Sequence, residues 1–253
     1  MIWLETMLVA LSTYTALPMP QFEWNEKNMR YAICGLPLAG VICGAALLLW
    51  TWLACRFHLP AVLYAVVAVA LPLLLTGGIH MDGYMDTVDA LASHQNRERM
   101  LEIMKDSHIG TFGVVAAILD LGFKYILILE TGMPVLMLIA GPVAGKMVQG
   151  LCMYKTVYPR ENGLGKSYIG RIPAKIMVFG AVLGGVITAA CMYGGSRNGI
   201  RALVLPIGCL IFAYIVKKRM VHVIGGMTGD TLGAASEMTE IFCMILILVL
   251  EGV

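Results

Sequence analysis

The sequence predicts an all-α protein, a polytopic helical bundle with about seven transmembrane helices. Hydrophobic residues make up 59% of the 253 residues and charged residues only 13%, which is about half the charged share of an ordinary soluble domain. The apolar residues also form long runs, and a helix needs roughly 20 such residues to cross the hydrocarbon core of a bilayer. We expect residues 1–253 to form a single integral membrane domain.

Seven apolar runs are the predicted transmembrane helices. In chain order they cover residues 31–55, 60–78, 111–130, 134–154, 174–193, 200–216 and 237–253. The first 17 residues are also apolar, but they are short for a span and contain Glu5, Ser12 and Thr13. They lack a basic amino-terminal region, so we expect an interfacial or partly inserted helix instead of a cleaved signal peptide.

The positions of lysine and arginine predict the orientation in the membrane. Of 18 such residues, 13 fall in the polar segments that seven spans place on one side, three fall on the other side, and two lie within spans. The side that is rich in lysine and arginine holds the segments 17–30, 79–110, 155–175 and 217–236. The positive-inside bias makes this side cytoplasmic. The polar motifs lie on the same side, so we expect a cytoplasmic active face on the inner cell membrane.

A cluster of acids directly follows the second predicted span. His80 is followed by Asp82, Asp86 and Asp89, and the i, i+4, i+7 spacing of the three aspartates puts them on one face of a helix. Three carboxylates on one face repel one another unless a cation lies among them. Hard oxygen ligands suit Mg²⁺, so we predict that these aspartates are metal ligands. The alternative is a solvated acidic turn that caps a helix.

The segment after Asp89 predicts a short helix along the cytoplasmic surface. Ser93 or Asn96 would cap it, and an apolar stripe would cover one face: Met100, Leu101, Ile103 and Met104. Lys105 and His108 follow, and small residues at 110–113 open the next span. A helix N-terminus of this kind accepts phosphate readily, and both side chains would add donors. The alternative is an ordinary capped helix with an interfacial lysine.

Two further loops on the same side have the composition of a phosphate site. Residues 158–166 combine turn-forming glycines with two cations, which is typical of a loop that folds over a phosphate. The candidate binding residues there are Arg160, Asn162 and Gly165. Residues 225–233 are rich in glycine and contain Thr228 and Asp230. Four polar segments on one face favour a polyphosphate and metal site.

Three charges lie inside the predicted spans, where charged residues are costly and usually face a polar interior. Asp120 and Lys124 are spaced i, i+4, so a mutual ion pair is the simplest interpretation. Lys146 has no such neighbour in the sequence and is the better candidate to reach a ligand. The seven cysteines stand singly in apolar runs, which does not favour a zinc site.

Four blocks of sequence, taken together and in this order, resemble the cobalamin synthase family. They are GGIHMDGYMDTVDAL, RERMLEIMKDSHIGTFG, RENGLG and GGMTGDTLGA, and the similarity extends over nearly the whole chain. Members of this family are adenosylcobinamide-GDP ribazoletransferases. Two positions depart from the pattern: no arginine precedes Pro18 and Pro20, and Lys146 stands where an arginine is common. The second change keeps the charge but loses the bidentate fork.

The resemblance implies a Mg²⁺-dependent membrane enzyme. It would join adenosylcobinamide-GDP to α-ribazole, or to α-ribazole 5′-phosphate, and release GMP. Its partners would be these small molecules and membrane lipid, with no nucleic acid; a homo-oligomer and a complex with other corrinoid enzymes stay open. A CDP-alcohol phosphotransferase is the nearest alternative, but its pattern continues with Ala-Arg and a distant acidic motif that this chain lacks. A transporter is the non-enzyme alternative.

The chemistry of pyrophosphate transfer suggests a role for each candidate residue. Such a transfer needs charge neutralisation and in-line positioning more than covalent catalysis. Asp82, Asp86 and Asp89 would hold the metal, and one of these acids or His80 would accept the proton of the attacking hydroxyl. Phosphate oxygens would contact Lys105, Lys146 and Arg160. Asp230 would bind metal or orient the sugar, and the remaining predicted binding residues are His108, Asn162, Gly165 and Thr228.

Overall fold

The fold is a bundle of helices. The structure is a computed structural model, and it describes residues 8–9, 11–16, 18 and 33–252. Residues 8–9 and 11–14 are helical, as expected of the apolar N-terminal segment; residues 15 and 16 are not helical, and the other residues of this segment lie outside the described part. The helices that follow are α1 (Leu36–Arg56), α2 (Ala61–Leu75), α3 (Ile79–Ala92), α4 (Arg97–Ile103), α5 (Thr111–Thr131), α6 (Val135–Met153), α7 (Ala174–Ser196), α8 (Gly199–Ile224) and α9 (Gly229–Glu251). Two 3₁₀ turns, Ile33–Gly35 and Leu164–Ser167, complete the described secondary structure.

The lengths and composition of the helices fit a membrane protein. Within the described residues, six helices are long and apolar enough to cross a bilayer, and the bent pair α2–α3 would make a seventh. Large apolar side chains cover the outward faces, for example Ile118 on α5 and Leu203 on α8, which are 65% and 62% exposed. Such exposure is natural where lipid tails replace water. The predicted all-α membrane bundle is confirmed.

The second predicted span ends three residues earlier than expected, at a sharp bend. Residues 60–78 were expected to form one helix, but α2 ends at Leu75 and α3 leaves it at an angle of 89°. Gly77 and Gly78 form the bend with φ angles of 63° and 74°, a region that suits glycine because it has no Cβ. The bend turns α3 across the ends of its neighbours, so its acids lie at one end of the bundle.

The last two predicted spans also have different limits. Residues 217–236 were expected to form a loop, but α8 continues to Ile224 and α9 begins at Gly229. The prediction was wrong because Lys217 to Arg219 extend a helix beyond its apolar stretch instead of ending it. Only residues 225–228 connect the two helices. Asp230 therefore lies in the first turn of α9.

Helix α6 forms the centre of the bundle. It is the most buried of the long helices and packs against α1, α7 and α9. Small residues allow these close contacts: a Cβ on Gly145 would lie 2.8 Å from the Ser236 hydroxyl of α9. This close approach, typical of membrane helix packing, places Lys146 deep inside the protein.

A group of charged side chains is buried between α5 and α9. Lys124 Nζ lies 3.0 Å from Asp120, 2.6 Å from Glu237 and 3.1 Å from Glu240. The predicted pairing of Asp120 with Lys124 is therefore confirmed, with two additional acids from α9. One lysine neutralises only part of the charge of three buried carboxylates, so its removal would leave them without a counter-ion.

We expect Lys124→Met to destabilise the protein by about 3 kcal/mol, because breaking a buried ion pair leaves uncompensated charge. The measurement is the unfolding of the detergent-solubilised protein by heat and by denaturant. Lys175→Met removes an exposed lysine at the start of α7 and is the matched control, while Lys124→Arg should restore part of the stability. Equal stability of the Lys124→Met and Lys175→Met variants would contradict the proposed role.

Candidate active site

A cleft of about 300 Å³ opens at the end of the bundle that holds α3 and the loops 154–173 and 225–228. Residues from the N-terminal segment, from α3, α6 and α9 and from the 154–173 loop form its walls. They are Thr13, Tyr14, Ile79, His80, Asp82, Gln149, Tyr158, Arg160, Gly163, Gly165, Tyr168, Gly229, Asp230, Leu232 and Gly233. Five of the predicted site residues are among them: His80, Asp82, Arg160, Gly165 and Asp230.

Two glycines bring α3 and α9 together beneath this cleft. A Cβ on Gly83 would lie 2.7 Å from the Cα of Asp230, and one on Gly233 would lie 2.9 Å from the carbonyl oxygen of His80. Both distances are too short for a side chain, so the helix backbones touch at this crossing. The contact places the acidic face of α3 beside Asp230, although the two lie far apart in the sequence.

The aspartates form a cluster of like charge. Asp86 is half-buried, and the charges of Asp82, Asp230 and Asp89 all act on it. Asp82 is exposed at the mouth of the cleft. Several carboxylates this close repel one another unless a proton or a cation lies between them, and the arrangement therefore favours cation binding at the mouth.

Arg160 reaches the cleft from the loop 154–173. Its Nη2 atom donates to Asp230 Oδ2 at 2.6 Å, and its Nε atom is buried without a partner among the described residues. The loop that carries it is held against the 225–228 connection, where the Met227 amide donates to the Val157 carbonyl at 3.0 Å. A largely buried guanidinium with a free donor can bind an anionic ligand.

Asp89 has a different environment from the other acids. Its Oδ2 accepts from the Gly110 amide and its Oδ1 from the Gly113 amide, both at 2.9 Å. Asp89 thus caps the N-terminus of α5, where we expected a phosphate group. This arrangement differs from the predicted one because both carboxylate oxygens of Asp89 accept from backbone amides. The role of Asp89 as a metal ligand stays a prediction.

We expect Asp89→Ala to lower the free energy of unfolding by about 1 kcal/mol, the usual cost of losing a helix N-cap. The loss should be the same with Mg²⁺ and with EDTA, because the cap needs no metal. Ser93→Ala is the control. Ser93 lies at the end of α3, close to Asp89 in the chain, and its hydroxyl is bonded only to nearby backbone. A loss of stability that appears only with Mg²⁺ would instead identify Asp89 as a ligand.

His80 is bound to the interior of the protein. Its Nε2 atom lies 3.0 Å from Lys146 Nζ, which also donates to the Ser236 hydroxyl at 3.0 Å. An ammonium group has only donors, so Nε2 accepts and the neutral ring carries its proton on Nδ1. The accepting nitrogen of His80 is therefore occupied by Lys146, and both side chains are buried.

Four other predicted binding residues do not line the cleft. Lys105 and His108 are exposed, and hydrogen bonds from the backbone and ring of His108 hold the pKa of Asp106 below its usual range. Asn162 is exposed, and its carbonyl accepts from the Tyr158 hydroxyl. Thr228 is buried as the N-cap of α9, so it shapes the site by fixing the start of that helix. Asn96, not Ser93, caps α4.

Several residues of the cleft were not predicted from the sequence. Gln149 lies within an apolar span, and its single polar side chain was the available signal. Tyr14 and Tyr168 carried no signal in the sequence, because aromatic residues are common in membrane helices and loops. Their rings line one wall, and burial raises the pKa of Tyr168.

The carboxylates at the cleft fit Mg²⁺ only in part. Among the described residues, no group of three or more His, Cys, Asp or Glu side chains is arranged to hold a metal ion. Asp82 and Asp86 nevertheless offer two carboxylates one helical turn apart. Mg²⁺ is commonly held by one or two carboxylates together with water and substrate phosphates, so the pair suits a metal that arrives with its substrate.

Comparison with known proteins identifies the family of the chain. The family model described as cobalamin-5-phosphate synthase matches residues 6–248. Relatives named adenosylcobinamide-GDP ribazoletransferase occur in Lachnoclostridium phytofermentans (32% identity, 99% of this chain and 96% of the relative), Clostridium novyi (33%, 98% and 98%) and Citrobacter koseri (36%, 94% and 97%). No solved structure matches the chain. The chain therefore belongs to the cobalamin-5-phosphate synthase family.

Proposed function

We propose that this protein is an adenosylcobinamide-GDP ribazoletransferase. It joins adenosylcobinamide-GDP to α-ribazole, or to α-ribazole 5′-phosphate, and releases GMP. The observation that carries the proposal is the meeting, in one cleft, of Asp82 from α3 with the Arg160–Asp230 ion pair. The names of relatives that match over nearly their whole length support this choice of substrates.

The reaction is a displacement at phosphorus. A hydroxyl oxygen of α-ribazole attacks the phosphate attached to cobinamide, the new P–O bond forms, and the P–O bond to GMP breaks. The proton of the hydroxyl passes to a carboxylate, and GMP leaves with the bonding electrons. Catalysis of this kind consists mainly of positioning and of stabilising negative charge on the phosphate oxygens.

Asp82 and Asp86 are the proposed ligands of Mg²⁺. When bound, the metal would neutralise charge on the pyrophosphate and stabilise the leaving GMP. One of these acids also accepts the proton of the attacking hydroxyl. His80 does not take this proton, because Lys146 occupies its only lone pair.

Arg160 is the proposed phosphate-binding residue of the cleft. Its Nε donor is unused within the described residues, and Asp230 fixes the guanidinium through a 2.6 Å bond. A guanidinium held in this way offers a planar pair of donors to phosphate oxygens without losing much conformational freedom on binding. Lys146 supports the site indirectly, by orienting His80.

The active face is cytoplasmic. Lys155, Arg171, Lys175 and the basic residues 217–219 lie at the same end of the bundle as the cleft, in accordance with the positive-inside bias. The inner cell membrane then holds the protein, and the soluble substrates reach the cleft from the cytoplasm.

The test is GMP release by the purified, detergent-solubilised protein. Adenosylcobinamide-GDP is supplied with α-ribazole or its 5′-phosphate, and with Mg²⁺ or EDTA. Release that requires both an acceptor and Mg²⁺ is the expected result. No release by a folded preparation that also binds neither substrate would refute the proposal, and release of CMP from a CDP-lipid would replace it with a CDP-alcohol phosphotransferase.

A further inference from the structure

An apolar groove runs between α8 and α9 on the outer surface of the bundle. It has a volume of about 310 Å³, and the described residues that line it are all apolar. Ile207, Ile211 and Ile215 belong to its α8 wall, and Phe242 and Leu246 form its α9 wall. The three isoleucines are more than half exposed. Because the residues of the groove differ from those of the active-site cleft, it is a separate feature of the protein.

Close packing of α8 against α9 gives the groove a defined floor. The Phe212 ring stacks on Phe242 with 4.6 Å between centroids and 10° between planes. A Cβ on Gly208 would lie 2.7 Å from the Leu246 side chain, so the missing side chain lets α9 approach α8 closely. The groove is therefore a depression on a packed helix pair and not a gap between separate helices.

The length and depth of the groove match one leaflet of a bilayer. Its α8 wall extends from Val204 to Ile215, which is about 16 Å of helix at 1.5 Å per residue. The hydrocarbon core of a bilayer is about 30 Å thick, so one leaflet contributes about 15 Å. The basic residues 217–219 follow directly and mark the level of the cytoplasmic headgroups. The groove therefore has the dimensions of an acyl chain of the cytoplasmic leaflet.

Two basic residues continue the line of the groove toward the headgroups. The i+3 and i+4 spacing from Ile215 places Lys218 and Arg219 on the same face of α8 as the groove, and both are exposed. Lys217 lies on a different face and donates to the Tyr154 carbonyl. Two cations thus lie at the cytoplasmic end of an apolar groove, where a lipid carries its phosphate.

The chain around these cations contains no acid that balances their charge. Residues 162–229 contain no aspartate or glutamate, so α7, α8 and the connection between them present only basic residues. The cytoplasmic leaflet contains anionic lipids, which attract basic residues at its surface. A zwitterionic lipid would bring its own positive charge to this site. The local charge therefore favours a lipid whose headgroup has a net negative charge.

We propose that the groove between α8 and α9 binds an anionic phospholipid of the cytoplasmic leaflet. One acyl chain occupies the groove, and the headgroup phosphate contacts Lys218 and Arg219. The apolar walls require a hydrocarbon chain, and the two cations require an anionic headgroup, so a lipid such as phosphatidylglycerol satisfies both parts. This site does not depend on the proposed transferase activity.

The test is the binding of phosphatidylglycerol to the delipidated, detergent-solubilised protein. Native mass spectrometry counts the bound lipids and shows the oligomeric state in the same measurement. Phosphatidylcholine with the same acyl chains tests the headgroup, and glycerol phosphate, which has no acyl chain, tests the groove. The wild type should bind phosphatidylglycerol about tenfold more tightly than phosphatidylcholine and at least about 100-fold more tightly than glycerol phosphate.

The double variant Lys218→Gln with Arg219→Gln tests the headgroup site. It should bind phosphatidylglycerol about 30-fold more weakly, because each basic residue near an anionic lipid contributes about fivefold in affinity. Arg171→Gln with Lys175→Gln is the matched control. It removes two exposed charges at the same end of the bundle from residues outside the groove, and its affinity should stay within about twofold of the wild type. An equal loss in both double variants would indicate a general attraction to a basic surface and would overturn the inference.

Ile211→Trp tests the groove itself. The larger side chain should weaken phosphatidylglycerol binding about tenfold, the effect of displacing about two methylene groups of the acyl chain. Leu210→Trp is the control at the same depth, because Leu210 is exposed but does not line the groove. Thermal unfolding of both variants should match the wild type.

Three outcomes of these measurements would overturn the inference. The first is phosphatidylglycerol binding that Ile211→Trp does not weaken relative to Leu210→Trp. The second is glycerol phosphate binding as tight as that of phosphatidylglycerol, since the site would then recognise a free phosphate. The third is a wild-type dimer that Ile211→Trp dissociates, which would assign the groove to a second copy of this chain.

Discussion

Asp82→Asn is expected to lower kcat by about 1,000-fold, the loss typical of removing a group that stabilises charge in the transition state. The substitution keeps the shape of the side chain but removes the charge that would hold Mg²⁺. Because Asp82 is exposed, the protein should fold and unfold as the wild type does. GMP release, measured over a range of Mg²⁺ concentrations, is the readout.

The Mg²⁺ titration separates a metal ligand from a general base. Loss of a ligand should raise the Mg²⁺ concentration needed for half-maximal activity, whereas loss of a base alone should leave it unchanged. Glu98→Gln, which alters an exposed acid on α4, is the control for a general effect of surface charge. Turnover by Asp82→Asn equal to that of Glu98→Gln would remove Asp82 from the mechanism.

The local spacing of residues predicted much of the site. Asp82 and Asp86 share a face of α3 because a helix repeats every 3.6 residues, and this needs no tertiary information. The same spacing assigned Asp89 to the metal, yet its carboxylate caps α5. That difference depends on how residues 93–109 return the chain to Asp89, which no periodicity in the sequence encodes.

Buried charges illustrate the same limit. The i, i+4 spacing of Asp120 and Lys124 was sufficient to predict their contact. The participation of Glu237 and Glu240 was not predicted, because the last span was expected to begin only at residue 237. Once α9 begins at Gly229, both face α5 from within the bundle. Contacts between helices distant in sequence depend on packing, and a single sequence does not specify it.

The crossing of α3 and α9 explains why the cleft was only partly anticipated. Gly83 and Gly233 were visible in the sequence as small residues within polar motifs. Their function is to let two helix backbones touch, and this sets Asp230 beside Asp86 and opposite Arg160. The composition of the polar segments suggested that they lie close together. Which residues face one another depends on how the helices pack, and the composition does not predict this.

Arg160→Ala is the second substitution for which we expect a large effect, a fall in kcat/KM of about 1,000-fold. It removes the guanidinium proposed to bind phosphate and leaves Asp230 without its partner at 2.6 Å. Arg160→Lys should recover only part of the activity, because lysine restores the charge but not the planar fork. Arg171→Ala, an exposed arginine in the same loop, is the control.

The double variant Arg160→Ala with Asp230→Asn distinguishes two explanations of this loss. If Arg160 served only to neutralise Asp230, removing both charges would restore kcat/KM to within about tenfold of the wild type. If Arg160 binds the phosphate, the double variant should remain as impaired as Arg160→Ala, and the KM of adenosylcobinamide-GDP should rise in both. Recovery in the double variant would contradict the phosphate-binding role, since the guanidinium would then be needed only to compensate a charge that the protein itself places in the cleft.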